Sequence, residues 1–122
     1  MNRVIHFEFA AQNPDRAAKF YKTVFGWEST KWDGPPEYWL MKTGPDNKPG
    51  INGGIMRQTD TMPKTVNTIE VPSIEEFIDK ITRNGGSVAM PKMAIPGVGY
   101  QAYCLDPEGN LFGIHKPDAA AK

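Results

Sequence analysis

The chain holds a single cysteine, Cys104, in 122 residues. One thiol excludes an internal disulfide and a cysteine-built zinc cage, and this usage fits a reducing compartment, so a cytoplasmic location is expected. Net charge is lacking too, with 14 Lys and Arg against 14 Asp and Glu. Neither sign gathers into a run that would make a field for phosphates or anionic lipid, and neither a nucleic acid nor a membrane partner is expected. No apolar run approaches the ~18 residues of a membrane span. The opening MNRVIHFEFA is too short an apolar stretch for a signal sequence and is interrupted by His6 and Glu8. The stretch Gly50-Ile-Asn-Gly-Gly54 is no phosphate loop, because the Lys-Ser/Thr pair and the following helix are missing. What remains is one domain over residues 1–122 with a real core. The tail after Pro117 is expected to fray.

What is present is a repeat. Ile5, Phe7 and Phe9 alternate with His6, Glu8 and Ala10, as in a half-buried strand. Asn13-Pro14 then offers an N-cap and a first-turn proline, and Ala17, Phe20, Tyr21, Val24 and Phe25 follow at helical spacing up to Gly26. About sixty positions on, Val66, Thr68 and Glu70 alternate with Ile69 and Val71. There Ser73-Ile-Glu-Glu76 is a capping box, and Ile74, Phe77, Ile78 and Ile81 form a stripe closed by Gly85-Gly86. Three strand-like pieces follow each helix: 27–33, 37–43 and 50–57, then 87–90, 99–105 and 110–116. Each half reads β-α-β-β-β, module one over residues 1–60 and module two over 61–117. An offset of sixty lays Gly26 on Gly86 and Gly53 on Gly113. Two such modules, each covering one sheet face with its helix, are expected to set their other faces around a cleft. First- and fourth-strand residues would line it: His6, Glu8, Ile51, Gly53, Ile55, Val66, Thr68, Glu70, Leu111, Gly113 and His115. Glycine inside a strand costs stability, so Gly53 and Gly113 are expected to leave room there for a ligand.

The stretch HFEFAAQNPDRAAKFYKTVFGWE, the segments GPPEYWL, PGINGGI and IPGVGY, and the final DPEGNLFGIHKP resemble the vicinal oxygen chelate superfamily. That group holds glyoxalase I, extradiol dioxygenases, methylmalonyl-CoA epimerase and the bleomycin-resistance proteins. The resemblance runs from about His6 to Lys116. It implies an α+β fold of two βαβββ modules related by a pseudo-twofold, curved mixed sheets around a cleft, and a homodimer. In metal-using relatives four cleft-facing ligands come from the first and fourth strands, and these positions carry over to His6, Gly53, Val66 and Gly113. Only His6 can coordinate, whereas a catalytic metal needs about three protein ligands, so no metal and no cofactor are expected. A residual site from His6, Glu8, Glu70 and His115 would need all four to converge, and their spacing matches no ligand motif.

Two readings of function follow. In the first, the protein is a metal-independent lyase or isomerase acting on a small oxygenated molecule, with His6 and Glu8 as the catalytic acid and base; two residues apart on a strand, they share a face. His6 equally suits a structural hydrogen-bonding role. In the second, the protein sequesters a drug-like small molecule without reacting, using Trp39, Tyr100 and Tyr103 as aromatic walls with Gly53, Thr68, Glu70, Gly113 and His115 completing the substrate-binding set. Tyr100 follows Met93-Ala-Ile-Pro-Gly-Val-Gly99, a stretch suited to a closing loop. About half of Trp27, Trp32, Tyr38, Trp39, Tyr100 and Tyr103 are expected to be core instead. A third reading, a degenerate module acting through its surface, stays open.

Overall fold

The computed structural model describes residues 2–33, 37–60 and 63–122; residues 34–36 of the GPPEYWL segment lie outside them. Packing separates two units, residues 6–66 and residues 67–122 with the segment up to Ile5.

In the unit 6–66 the chain runs β1 (Val4–Ala11), α1 (Pro14–Phe25), β2 (Glu28–Lys31), β3 (Tyr38–Lys42) and β4 (Asn52–Arg57). Asn13 caps α1 by accepting from the Arg16 backbone N–H at 3.0 Å, and Pro14 fills the first turn, where a missing N–H costs nothing. Gly26 ends the helix in the left-handed region at φ 76° and returns its N–H to Lys22. β1 pairs parallel with β4, and β4–β3 and β3–β2 are antiparallel. Under α1, Ala18, Trp39, Met41 and Ile55 form a buried core flanked by Phe9, Ala11, Ala17, Tyr21 and Trp27. Burial of a side chain the size of Ile55 stabilises by about 1.5–3 kcal/mol.

The second unit repeats the plan with β5 (Thr65–Glu70), α2 (Ile74–Arg83), β6 (Ser87–Ile95), β7 (Gly99–Leu105) and β8 (Leu111–Pro117). β5 pairs parallel with β8, and β8–β7 and β7–β6 are antiparallel. Ser73 caps α2 through the Glu76 N–H, and Ile74 of the helix is buried with Val71, Ala102, Cys104 and Ile114, with Ile69, Phe77, Tyr100 and Phe112 around them. The chain is thus α+β, with a mixed sheet and one helix in each β-α-β-β-β unit.

Three local expectations change. β6 runs on through Pro91 to Ile95, with irregular register between Val88 and Met93. Pro91 is tolerated because β6 is an edge strand and bulges free its neighbours. The supposed closing loop is therefore strand as far as Ile95, followed by a tight turn with Gly97 at φ 76°. The tail is tied down: Ala121 is buried and its carbonyl accepts from the Gly97 N–H at 3.0 Å.

The offset itself slips. Cap matches cap at sixty positions, Asn13 to Ser73, but the left-handed glycine after α1, Gly26, matches Gly85 at φ 93° and not Gly86. The step from cap to left-handed glycine is one residue shorter in the second unit, and the fourth strand is displaced by one as well. In a strand a slip of one exchanges the two faces. Phe7 lies opposite Gly53 and Glu8 opposite Gly54, whereas Thr68 lies opposite Gly113. The true counterpart of Gly113 is Gly54.

Candidate active site

The face of β1 turned from α1 carries His6 and Glu8. Glu8 is 6 % exposed and is the only acidic residue among the buried described ones. The His6 Nε2 is 2.8 Å from the Tyr38 hydroxyl. Tyr38 reaches it by crossing β4 above Gly54, where a methyl group would run into the phenol. Gly54 is thus a bare saddle that lets a third-strand side chain reach a first-strand histidine. Burial holds the His6 imidazole below its ordinary value near 6.5, and the Glu8 carboxylate pulls upward with the smaller effect.

This depression predicts a pH dependence. A histidine that binds its proton more weakly when folded contributes stability that is complete above the unfolded value, about 6.5, and is lost as the pH falls through the folded value. The exposed carboxylates held low by their partners, Glu37, Glu75 and Asp106, come into play only below about 4.5. Melting temperature should therefore fall from about pH 6.5 towards 4.5, and the fall should be shallower in His6→Gln. Equal slopes in the two proteins would contradict a desolvated His6.

The second unit holds a parallel cluster. Gln101 donates through Nε2 to Thr68 Oγ1 at 3.4 Å, and its Oε1 lies 2.8 Å from His115 Nδ1. An amide oxygen only accepts, so the proton of this pair sits on His115 Nδ1. A Cβ at Gly113 would lie 2.6 Å from Thr68 Oγ1 and 2.7 Å from Gln101 Nε2. Glu70 is level with His115 and Tyr103 with Gly113. Gln101 sits opposite His115, two residues past Gly113, as Tyr38 sits opposite Met56, two past Gly54. In each unit a third-strand side chain leans across a fourth-strand glycine and holds a histidine.

Several sequence expectations are corrected by this placement. The room above the glycines is filled from within: by the Phe7 ring at Gly53, the Tyr38 phenol at Gly54, and Thr68 and Gln101 at Gly113. Gly53 and Ile55 lie on the α1 side, not with His6. Trp39 is buried there at 5 % exposure and donates from Nε1 to Asp15 at 3.2 Å. Tyr100 packs on the α2 side, its ring 4.5 Å beneath Lys92 Nζ. Trp27 stacks on Tyr21 at 5.0 Å. Thr68, Glu70, Tyr103, Gly113 and His115 do share one face. The sequence reading missed Gly54, Gln101 and the role of Tyr38; the adjacent glycines 53 and 54 were the available signal, since two in a row put one on each face.

Cys104 is fully buried, and burial pushes its thiol up, which suits a packing group and not a nucleophile. A shallow depression of about 400 Å³ opens beside α1, lined by residues such as Gln12, Arg16 and Phe20, and none of the predicted site residues borders it.

The donor set does not fit the ion used by metal-dependent relatives. The carried-over positions supply His6 alone, Gly54 in place of Gly53 adds no donor, and the His6 Nε2 is already engaged by Tyr38. Among the described residues no three His, Cys, Asp or Glu side chains gather as ligands.

Solved structures share this architecture. A hypothetical protein from Bacillus halodurans C-125 aligns over 99 % of this chain and 98 % of its own with a TM-score of 0.75 at 16 % identity. Methylmalonyl-CoA epimerase from Mycobacterium tuberculosis aligns over 94 % and 87 % with a TM-score of 0.73 at 12 % identity. A glyoxalase/bleomycin resistance protein/dioxygenase superfamily member from Vibrio splendidus 12B01 aligns over 97 % and 100 % with a TM-score of 0.66 at 15 % identity. At such identities the likeness defines a class, the glyoxalase-like α+β fold. The sequence goes further: the description Glyoxalase/Bleomycin resistance protein/Dioxygenase superfamily matches residues 3–114, and the chain belongs to that family. No curated protein matches it. No helix among the described residues is long and apolar enough to cross a membrane.

Proposed function

We propose that the protein is a metal-independent isomerase- or lyase-type enzyme that moves a proton at a carbon beside a carbonyl in a small oxygenated molecule. The carrying observation is the pairing of Glu8 with His6 on one face of β1. A carboxylate withdrawn from water is costly to keep, and such a group beside a desolvated histidine is what acid–base chemistry requires. The removal of a proton next to a carbonyl leaves charge on oxygen, which a hydrogen-bond donor stabilises while a carboxylate holds the proton. A structural neighbour named methylmalonyl-CoA epimerase supports trying acyl thioesters first. Sequestration without reaction is the weaker reading, because Trp27, Trp39 and Tyr100, half of the aromatic set, are engaged beneath the helices.

The test is exchange of the carbon-bound hydrogen with deuterated solvent across a panel of 2-substituted thioesters, 2-oxo acids and hydroxyketones. Glu8→Gln should slow exchange by about 10²–10⁴-fold, while the rise in melting temperature caused by the same compound persists. A compound that raises the melting temperature of the wild type yet exchanges no hydrogen would favour sequestration and sink the enzymatic reading.

A further inference from the structure

We infer that Tyr38 is a positioning residue: its phenol donates to His6 Nε2 and so holds His6 with its proton on Nδ1, making His6 the hydrogen-bond donor to a substrate oxygen and Glu8 the base. This division of roles rests on the proposed reaction. The tautomer assignment stands on geometry.

A contact of 2.8 Å between Nε2 and the phenolic oxygen has room for one proton, carried by one side or the other. A neutral imidazole has one N–H and one accepting nitrogen. The phenol is the stronger acid of the two neutral donors and the imidazole nitrogen the stronger acceptor of the two, so O–H···N is the better-matched pair. The arrangement is built into the backbone: the phenol reaches His6 only because β4 carries no side chain at Gly54. The second unit holds His115 by the same device but with Gln101 as acceptor. Nε2 of His6 and Nδ1 of His115 therefore have opposite roles.

The chemistry balances without a co-reactant. The proton leaves the substrate carbon for the Glu8 carboxylate, the C–H electron pair moves towards the carbonyl oxygen, and the Nδ1–H of His6 stabilises the charge that gathers there. The proton held on Glu8 exchanges with solvent; its return to the original face gives back the substrate with a solvent hydrogen, and return to the opposite face of the planar carbon completes an isomerisation. A neutral histidine acting as donor while a carboxylate acts as base is an established division of labour.

The measurement is ¹⁵N ring spectroscopy of histidine-labelled full-length protein at neutral pH. The chain has only two histidines, and a His115→Asn sample assigns the signals. The wild type should show His6 as a single Nδ1–H tautomer with Nε2 unprotonated. In Tyr38→Phe that single tautomer should be lost, and in Gly54→Ala, where the phenol is pushed aside, the same loss should appear. If Tyr38→Phe fails to fold, incorporation of 3-fluorotyrosine, which acidifies the phenol, should displace the His6 Nε2 signal and leave His115 in place. A wild-type Nε2–H tautomer overturns the inference, as does a His6 spectrum unchanged by both substitutions or by fluorination. These signals do not depend on turnover: absence of hydrogen exchange would defeat the proposed reaction and leave the tautomer standing, whereas the wrong tautomer with active exchange would defeat only the division of roles.

Discussion

Trp39→Ala is expected to destabilise the protein by about 3–5 kcal/mol in the absence of any ligand, the range for removing a large buried aromatic side chain. The indole lies among Ala18, Met41 and Ile55 beneath α1, its Nε1 donates to Asp15, and Lys31 Nζ stands 5.2 Å from the ring centre. The substitution thus opens a cavity, leaves the Asp15 contact empty and strips a cation from an aromatic face. Against a total of about 5–15 kcal/mol for an ordinary domain, such a loss removes a large part of the stability. Trp39→Phe, which keeps most of the volume and loses the Asp15 bond, should cost about 1–2 kcal/mol. Urea denaturation measures both. A loss below about 1 kcal/mol for the alanine variant, with ligand binding abolished, would return Trp39 to the role of a binding wall.

Gly113→Ala should be nearly as damaging. Its methyl group would press on Thr68 Oγ1 and Gln101 Nε2, with Tyr103 Cε1 at 3.3 Å behind them. Thr68 and Gln101 are both buried, so either β8 shifts or Gln101 swings away and leaves His115 and Thr68 without that partner. Overpacking costs about 1–3 kcal/mol and a stranded buried polar group about 1–3 kcal/mol, while the stiffer unfolded chain offsets about 0.4–1 kcal/mol. The net loss is about 2–4 kcal/mol, seen as a fall in melting temperature on the order of 10 °C. At Gly54 the obstacle is the far end of one side chain, which can rotate, and Gly54→Ala should cost less while disturbing His6 more. A Gly113→Ala protein as stable as the wild type would mean that the space there is open after all.

The comparison of Gly113 with Gly54 also marks how far the chain could be read in advance. Strand alternation, the Asn13 and Ser73 caps and the glycines after each helix are local signals, each governed by residues within a turn or two, and both β-α-β-β-β units were legible from them. So was the pairing of His6 with Glu8, since residues two apart on a strand share a face. The same rule shows that Tyr100 and Tyr103, three apart on β7, cannot both face a ligand. Tyr100 instead packs with the α2 core.

By itself, then, the amino-acid order determined the elements, their sequence and the family, because these depend on spacing and residue chemistry along the chain. Tertiary structure decided which face of each strand lies under a helix, which glycine is the partner of Gly113, and which side chains enter the space that the glycines leave. A single residue of difference in the step from helix cap to left-handed glycine, Asn13 to Gly26 against Ser73 to Gly85, reverses fourth-strand faces without disturbing any local pattern, and Tyr38 meets His6 across 32 positions of chain through one hydrogen bond. Contacts of that kind are set by register between strands, which no short stretch of sequence contains.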